Sequence, residues 1–374
     1  MKLMIPGPVR PEDEALEAMG GPVQAHYGPE WARIHHETLD LLRQVYQTTG
    51  DVFILVGSGS SALDACLGSA LAGGEQVIIG VNGWFGERLS AIARSYGLEV
   101  IPVAGPWGQP FDPDDFRRAF EAHPQARLAA VVHLETSTTI VNPVEAIAAE
   151  ASRQGRLLMV DAVSSLGGVP LPVDAWGIGL CASASQKCLG APPGLATVAV
   201  EPSAWDLIDR TEDKGHGWYL NLRVWRKHAA EWADWHPFPI TMATNNVLAL
   251  RAGLRGLLAE GLERRSQRFR ALALRLRQGL RQIGMMPYTP DELLAPVITA
   301  AYGPRNVPTS EIVSYMAEVH HTKIAGGLGE PLHDKIIRIG HMSPTLTEAD
   351  IDEVVRQLSG FTAAWRDSPR PAFP

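Results

Sequence analysis

The sequence predicts an α/β protein with a mostly parallel sheet, followed by a smaller α+β part. Across residues 51–200, short apolar runs typical of strands alternate with segments of helical periodicity. Elements that alternate in this way build a parallel sheet that is covered by helices on both faces. The length of 374 residues exceeds that of one typical domain, and the pattern changes after residue 282. We therefore expect a large domain and a small one.

The elements of the large sheet follow one another in a regular order. The predicted strands are the apolar runs 52–56, 76–80, 98–103, 128–134, 157–160 and 197–200. Helices are predicted between them at residues 62–71, 86–96, 113–122 and 143–153. Ligands of such sheets bind outside the carboxyl ends of the strands, so the residues that follow each strand are candidates for a site.

The second part of the chain begins with a long helical pattern at residues 247–282, which we interpret as a connecting helix. Strands at 295–301, 322–325 and 336–339 and helices at 310–319 and 348–358 follow it. This pattern predicts a large domain at residues 15–255 and a small domain, with an N-terminal arm, at residues 1–14 and 256–366. The proline-rich tail at 367–374 is expected to be poorly ordered.

Composition and charge exclude several classes of protein. With 45% hydrophobic and 20% charged residues, the chain is typical of a soluble globular protein. Its formal net charge of −8 is spread along the chain, which argues against nucleic acid or an anionic membrane as the main partner. The N-terminus is not that of a signal peptide, and no apolar run is long enough to span a bilayer. The histidines lack metal-ligand spacing, so no metal is expected.

The three cysteines, Cys66, Cys181 and Cys188, form a sparse and odd set. Such a set is typical of a reduced, intracellular protein and predicts a cytoplasmic location. Cys188 could be a nucleophile beside Lys187, but a small apolar filler is the favoured interpretation.

An aspartate and a lysine stand at the ends of two neighbouring segments that are predicted to be buried. Asp161 follows the apolar run 157–160, and Lys187 stands among small residues 26 positions later (187 − 161), with room for one more strand between them. A carboxylate is expensive to bury without a cationic partner, and a lysine whose pKa falls on burial suits Schiff-base chemistry. The pair suggests pyridoxal phosphate, which needs an amine for its aldehyde and an acid for its pyridinium nitrogen. A turn-capping Asp161 and a surface Lys187 are the alternatives.

A glycine- and serine-rich turn at residues 57–61 follows a predicted strand and opens a helix. Glycines let the backbone approach a ligand, and a helix N-terminus directs free N–H groups at an anion. The alternative is an ordinary turn in which Ser60 or Ser61 is the helix N-cap. The spacing is neither that of a P-loop nor that of a dinucleotide fingerprint.

Three further segments place polar or aromatic side chains after strands or inside one. Trp84 and Phe85 stand in a glycine-bracketed turn, where they offer either a ring face to a planar ligand or a core contact. Residues 135–139 join a carboxylate to four hydroxyls, which form part of a site or cap the next segment. Arg338 lies within an apolar strand, where it either binds a carboxylate in bidentate fashion or forms a structural ion pair.

These segments together resemble the class V aminotransferases of PLP fold type I, the alanine/serine–glyoxylate (or pyruvate) aminotransferase family. The resemblance runs from the Pro-Gly-Pro segment at residues 6–8 to the segment around Arg338. Its most specific parts are residues 161–165, Asp-Ala-Val-Ser-Ser, and residues 185–194, which contain Lys187. The resemblance implies a PLP fold type I large domain with a smaller α+β C-terminal domain.

The resemblance also implies a role for each residue that matches the family. Lys187 matches the Schiff-base lysine, and Asp161 matches the partner of the pyridine nitrogen. The other implied cofactor contacts are Gly59, Ser60, Ser61 and Gln186 at the phosphate, Phe85 and Val163 on the two ring faces, and Ser137 near the ring. Arg338, Gly7 and Ser137 are expected at the substrate. Thr241 matches a phosphate ligand from the neighbouring subunit, which implies a homodimer with shared active sites.

The chain departs from the family at three positions. Phe238 falls where many relatives carry a phosphate-binding tyrosine, Thr139 replaces a usual glycine, and Ser60 stands where some relatives have histidine or threonine. Several segments also look like pyridoxamine–pyruvate aminotransferase, which uses free pyridoxamine as a substrate.

The expected function is transfer of an amino group from alanine or serine to glyoxylate or pyruvate. The alternative is the pyridoxamine–pyruvate reaction. A cysteine desulfurase is disfavoured because all cysteines precede Thr197, outside the small domain. A binding or regulatory protein without activity is disfavoured because Lys187, Asp161 and Arg338 are all present.

Overall fold

The computed structural model describes residues 1–210, 217–305 and 307–367. The strands, in chain order, are β1 (Lys2–Leu3), β2 (Asp51–Val56), β3 (Gln76–Val81), β4 (Glu99–Ala104), β5 (Leu128–Val132), β6 (Leu134–Glu135), β7 (Ile140–Val141), β8 (Leu157–Asp161), β9 (Leu180–Ala184), β10 (Leu195–Val200), β11 (Ile298–Tyr302), β12 (Thr322–Lys323), β13 (Ala325–Gly326) and β14 (Ile336–Gly340).

The helices are α1 (Asp13–Met19), α2 (Pro29–Tyr46), α3 (Gly59–Ala70), α4 (Trp84–Ser95), α5 (Pro113–Ala122), α6 (Val144–Arg153), α7 (Pro202–Asp209), α8 (Leu222–Glu231), α9 (Thr244–Glu260), α10 (Leu262–Gln282), α11 (Thr309–His320) and α12 (Glu348–Asp367). A short 3₁₀ turn spans Asp291–Leu293. Local sequence explains several helix starts: at α5, for example, the Asp112 carboxylate accepts the Asp114 N–H at 3.0 Å, and Pro113 follows the cap.

A seven-stranded sheet organises the chain, with the strand order β2-β10-β9-β8-β5-β3-β4. All neighbours pair in parallel except β10, which is antiparallel to both β2 and β9. The parallel strands therefore end at one edge of the sheet. The structure confirms the predicted fold class and brings the residues that follow β2, β3, β5, β8 and β9 to that edge.

Two hydrophobic cores hold the chain together. One surrounds the large sheet, whose strands β5, β8, β9 and β10 are almost wholly buried, and it extends from Trp31 to Leu257. The other runs from Met4 to Phe361 around the three-stranded sheet β11-β14-β13. The N-terminal β1 joins the second core region by parallel pairing with β12. The domain boundaries at residues 14/15, 255/256 and 366/367 stay a prediction.

The structure corrects the predicted elements at several places. The single helix predicted at 247–282 is wrong, because α9 ends and α10 begins at Gly261, whose φ of +89° favours glycine. The strand predicted at 128–134 ends at Val132, and β9 was not among the predicted strands. Helices α3 and α4 begin at Gly59 and Trp84, earlier than predicted. Of the tail predicted at 367–374, residues 368–374 lie outside the described residues.

A small hairpin follows β5 and reaches over the carboxyl edge of the sheet. Its strands β6 and β7 pair in antiparallel fashion, and residues 136–139 form the turn. Thr139 closes this turn with a φ of +54°, a conformation that β-branched residues rarely adopt. The residue is almost completely buried. The departure from the family at this position is therefore a threonine in a left-handed conformation that glycine would adopt without strain.

Cys66, Cys181 and Cys188 are all buried free thiols. Burial raises the pKa of Cys188 to about 12, so this thiol is an apolar filler rather than a nucleophile. Among the described residues, no helix is both long and apolar enough to cross a membrane. The cytoplasmic location stays a prediction.

The strained turn gives a test of the hairpin. Thr139→Gly should be more stable than Thr139→Ala by about 1 kcal/mol, because both remove the hydroxyl and methyl groups but only alanine keeps the Cβ that makes the left-handed conformation costly. At Thr38, inside α2, the order should be reversed, with alanine the more stable by about 1 kcal/mol. Urea unfolding of the four variants measures both differences, and a Thr139→Ala variant as stable as Thr139→Gly would contradict the left-handed conformation.

Candidate active site

A cavity of about 290 Å³ opens at the carboxyl edge of the large sheet. It is lined by Ser58, Gly59, Ser60, Leu63, Phe85, Arg88, Val132, Leu134, Asp161, Val163, Ser164, Gln186 and Lys187. Seven of these residues, Gly59, Ser60, Phe85, Asp161, Val163, Gln186 and Lys187, belong to the site predicted from the sequence. They come from separate segments of the chain, each of which follows a strand of the sheet.

Lys187 stands three residues beyond β9 and is partly buried in the cavity wall, so the surface alternative for this residue is wrong. Its Nζ donates a hydrogen bond to the Pro6 carbonyl oxygen. Gly7 has a φ of +96°, and a Cβ there would lie 2.5 Å from Cδ and 2.6 Å from Nζ of Lys187. Only glycine therefore fits at position 7. Burial lowers the pKa of the Lys187 amine to about 8.

Asp161 is the last residue of β8, and only 5% of it is exposed. Its Oδ1 accepts the Val163 N–H at 2.9 Å, so the turn-capping interpretation holds for one oxygen. Burial raises the pKa of Asp161 to about 6, while the Lys187 and Arg88 charges act in the opposite direction. In the part of the chain that the structure describes, Asp161 and Lys187 form no ion pair, so both groups face the cavity rather than each other.

The phosphate turn predicted from the sequence lies at the start of α3. The helix begins at Gly59 and its N-cap is Ser58, so the alternative that Ser60 or Ser61 caps the helix is wrong. Ser61 Oγ donates to the Ser58 carbonyl oxygen at 2.6 Å, and Ser61 does not line the cavity. The first N–H groups of any helix lack intrahelical acceptors, and here Gly59 and Ser60 carry them into the cavity wall. This end of the cavity suits an anion.

Phe85 lies in the first turn of α4 and lines the cavity, so it is not an ordinary core contact. The Arg88 guanidinium lies 4.9 Å from the centroid of its ring. Opposite the turn, a Cβ on Gly59 would lie 2.7 Å from Cγ2 of Val163. That close approach leaves the Val163 side chain pressed against the start of α3 inside the cavity wall.

Ser137 is completely buried in the hairpin turn. Its Oγ donates to Glu135 Oε1 at 2.6 Å and accepts the Trp84 N–H at 3.0 Å. The cluster at 135–139 is thus joined to α4 rather than capping its own next segment. The Glu135 carboxylate was predicted only as a member of the 135–139 cluster, although its place at the end of a strand was a usable signal for a role of its own.

Arg338 lies in β14 with 7% of its surface exposed. Its guanidinium donates from Nε to the Gly326 carbonyl oxygen at 2.8 Å and from Nη1 to the Thr136 carbonyl oxygen at 3.2 Å. It forms no ion pair among the described residues, so the structural ion-pair alternative is wrong. Burial lowers its pKa to about 10. A buried guanidinium held only by carbonyls retains free donors for a carboxylate.

Thr241, Phe238 and His26 lie away from the cavity, and the predicted contacts Gly7, Ser61, Ser137 and Arg338 are not part of its lining. Thr241 is exposed on the surface before α9. Phe238 is completely buried, with ring centroids 4.9 Å from His35 and 4.6 Å from His236. His26 lies in the same aromatic group, 5.2 Å from His236. The N-terminal segment around His26 therefore does not line the cavity of its own chain.

The residues around the cavity fit pyridoxal phosphate. An amine of lowered pKa, a buried carboxylate, an aromatic ring and a helix N-terminus are the groups that its aldehyde, ring nitrogen, ring face and phosphate require. Gln186 adds an independent observation, because its Oε1 is buried and has no hydrogen-bond partner among the described residues. An unpartnered polar atom in a cavity wall indicates a missing ligand or water.

Comparisons with known proteins agree with this geometry. The model of the family described as aminotransferase class-V matches residues 14–352. A protein of Synechococcus sp. named soluble hydrogenase, small subunit, is 37% identical over 344 residues, which cover 91% of this chain and 87% of that protein. The crystal structure of alanine–glyoxylate aminotransferase from Nostoc sp. has a TM-score of 0.91 at 33% identity and covers 96% of this chain and 94% of its own.

A second solved structure, pyridoxamine–pyruvate aminotransferase from Mesorhizobium loti, has a TM-score of 0.90 at 25% identity. The match covers 98% of this chain and 93% of that protein.

The lowered pKa of Lys187 predicts the pH at which its amine becomes reactive. In the cofactor-free protein, acylation of Lys187 by trace acetic anhydride should reach half its plateau near pH 8, the value to which burial lowers its pKa. Below that pH the amine is protonated and unreactive. Mass spectrometry of the Lys187 peptide gives the profile, with the exposed Lys335 as a reagent control. A rate that still rises beyond pH 10, as for an ordinary lysine of pKa about 10.4, would contradict the buried amine.

Proposed function

Because this chain belongs to the class V aminotransferase family, whose enzymes use pyridoxal phosphate, we propose that it transfers an amino group from alanine or serine to glyoxylate or pyruvate. The observation that carries the proposal is the buried Arg338, which retains free donors for a substrate carboxylate and is near enough to Lys187 for the two charges to interact. The similarity to alanine–glyoxylate aminotransferase of Nostoc sp. supports the choice of small substrates.

Pyridoxal phosphate, when bound, supplies an aldehyde for amines and a ring that accepts electrons. We assign Lys187 two tasks, to hold the cofactor and to take the proton from Cα of the substrate. Its lowered pKa supports both, because a substantial fraction of the amine is neutral near pH 8. The Pro6 carbonyl, which accepts from Nζ, orients this amine in the cavity wall.

We assign Asp161 to the ring nitrogen of the cofactor. The Val163 N–H fixes Oδ1, so the carboxylate is held in one orientation and Oδ2 is left for the ligand. Its pKa of about 6 leaves it mainly ionised at neutral pH, and a cationic ring nitrogen nearby would lower that pKa further. An ionised Asp161 then holds a proton on the ring nitrogen, which is the state that accepts electrons.

The other residues that the sequence predicts at the cofactor bind and orient it in this proposal. Gly59 and Ser60 offer backbone N–H groups to the phosphate, with Ser61 in the same helical turn. Gln186 lines the cavity, and we assign the N–H donors of its side-chain amide to the phosphate. Phe85 and Val163 take the two faces of the ring, and Ser137 supplies a hydroxyl beside it.

The substrate carboxylate is assigned to Arg338. When Arg338 holds the substrate carboxylate, the Cα–H bond is held in a fixed direction relative to Lys187. The binding energy of the carboxylate is thus used to orient the bond that breaks. Gly7 contributes because it has no side chain, since any side chain there would occupy the space of the Lys187 amine.

The pyridoxamine–pyruvate reaction is a second candidate, and one observation favours it. Phe238 has no hydroxyl for a phosphate and is buried among aromatic rings, so the cofactor phosphate loses a contact that many relatives have. Weaker binding of the phosphate is compatible with a reaction in which free pyridoxamine binds as a substrate and is released as pyridoxal. The lower identity of 25% to the Mesorhizobium loti enzyme, against 33% for the Nostoc enzyme, favours the first candidate.

The experiment that tests the function is a panel of alanine, serine and free pyridoxamine against glyoxylate and pyruvate. We expect turnover with alanine or serine, and Arg338→Gln should raise KM for the keto acid about 10- to 100-fold, because a charge-assisted bidentate contact is lost. Lys187→Ala should abolish turnover and the absorbance band that arises from the bond between the cofactor and the Lys187 amine. Arg94→Gln, an exposed arginine on α4, is the control. Turnover with pyridoxamine as the amino donor, and not with alanine or serine, would support the second candidate instead.

We also propose that the chain forms a homodimer with shared active sites. Its surface carries a group of large aromatic side chains, each between 44% and 54% exposed: Tyr27, Trp218, Tyr219, Trp232 and Trp235. Exposed aromatic patches of this kind are typical of protein interfaces. Thr241, also exposed, follows this region in the sequence and is assigned to the phosphate of the neighbouring site.

Mixing two inactive variants tests the shared site. Lys187→Ala removes the amine from its own site, and Thr241→Glu places a negative charge against the phosphate of the neighbouring site. Refolded together at equal amounts, they should recover about a quarter of wild-type activity, because half of the dimers are hybrids and each hybrid has one intact site of two. Light scattering measures the mass of each sample. A monomeric mass, or a mixture no more active than its components, would contradict the proposal.

A further inference from the structure

We propose that Glu135 is a positioning residue that locks the ring-stacking Phe85 and the Ser137 hydroxyl into one unit. The carboxylate does not line the cavity, and it acts through Phe85, which does, and through the buried Ser137 behind it. The inference rests on the proposed function, and in particular on the roles proposed there for Phe85 and Ser137.

The contacts of Glu135 join two parts of the chain that are distant in sequence. Oε1 accepts the Ser137 N–H at 2.9 Å and the Ser137 hydroxyl at 2.6 Å. Oε2 accepts the Phe85 N–H at 2.9 Å and the Gly86 N–H at 3.2 Å. The Trp84 N–H closes the network by donating to Ser137 Oγ at 3.0 Å. One carboxylate thus sets the start of α4 relative to the hairpin turn.

The surrounding backbone is built to admit this carboxylate. A Cβ on Gly83 would lie 2.4 Å from Cγ of Glu135 and 2.7 Å from Oγ of Ser137. Such distances are far below van der Waals contact, so any side chain at position 83 would push Glu135 or Ser137 away. The turn before α4 therefore carries a glycine at the point where the carboxylate passes.

The charge of Glu135 is compensated without an ion pair. The side chain is completely buried, and burial raises its pKa, but four donors and the N-terminus of the 12-residue helix α4 favour the ionised form. Arg338 is near enough for the two charges to attract, yet the two side chains form no ion pair among the described residues. The negative charge of Glu135 thus stabilises the charged form of the Arg338 guanidinium, while the donors of the guanidinium stay free for substrate.

The test compares Glu135→Gln with Glu201→Gln. The amide keeps the shape but replaces one acceptor oxygen by a donor, so it cannot accept both pairs of N–H and O–H groups. Glu201 is a matched control, because its carboxylate accepts the N–H and the hydroxyl of Ser203 two residues later, as Glu135 does with Ser137, and it does not line the cavity. Visible circular dichroism per bound cofactor reports how the ring is held, and kcat and KM are measured alongside.

We expect Glu135→Gln to lose at least half of the cofactor dichroism and about 10-fold in kcat, a typical penalty for misplaced reacting groups. Glu201→Gln should change neither. With Ser137→Ala, Glu135→Gln should be less than additive, because both act through one network. Unchanged dichroism and kcat in folded Glu135→Gln would overturn the inference.

A second variant covers the case in which Glu135→Gln does not fold. Gly83→Ala displaces the carboxylate from the opposite side and should produce the same loss of dichroism, while the same signal as wild type would overturn the inference. Phe85→Ala and Ser137→Ala distinguish a failure of the roles proposed for Phe85 and Ser137 from a failure of the inference about Glu135. If both leave the dichroism and kcat unchanged, the proposed roles fail; if they change them and Glu135→Gln does not, only the inference about Glu135 fails.

Discussion

The site depends on the parallel pairing of β8 with β9. The register sets Met159 against Leu180, Val160 against Cys181 and Asp161 against Ala182. Asp161 ends one strand, and Lys187 follows the other by three residues, so the acid and the amine reach the same edge with a cavity between them. In a sheet, a slip of one residue turns every side chain to the opposite face. Because β8 and β9 are buried on both faces, the fit of their side chains against the covering helices, rather than an alternation of apolar and polar residues, sets this register.

The parts of the site that could be predicted are those that depend on local sequence. An acid after an apolar run and a lysine among small residues were enough to indicate Asp161 and Lys187. The turn at Gly59 was also recognisable, because strand, glycines and helix follow one another directly. Each of these signals lies within a few residues, which is the range over which sequence patterns determine structure.

The rest depends on contacts between distant segments. Nothing near Arg338 in the sequence reveals that carbonyls, rather than a carboxylate, surround its guanidinium. The role of Glu135 depends on backbone N–H groups about fifty residues earlier, and a pattern of hydroxyls does not predict them. The break at Gly261 was missed for another reason, since helical periodicity continues on both sides of a single left-handed residue.

The N-terminal arm has a mechanical consequence. Met4 is bonded on both sides to the smaller core region, its N–H to the Lys323 carbonyl and its carbonyl to the Gly340 N–H, both at 2.8 Å. Three residues later, Gly7 lies against Lys187. Three residues of fully extended chain span only about 10 Å, so this stretch is a short tether. Any displacement of β12 and β14 relative to the large sheet would pull on the Pro6 carbonyl, and hence on the partner of the reactive amine.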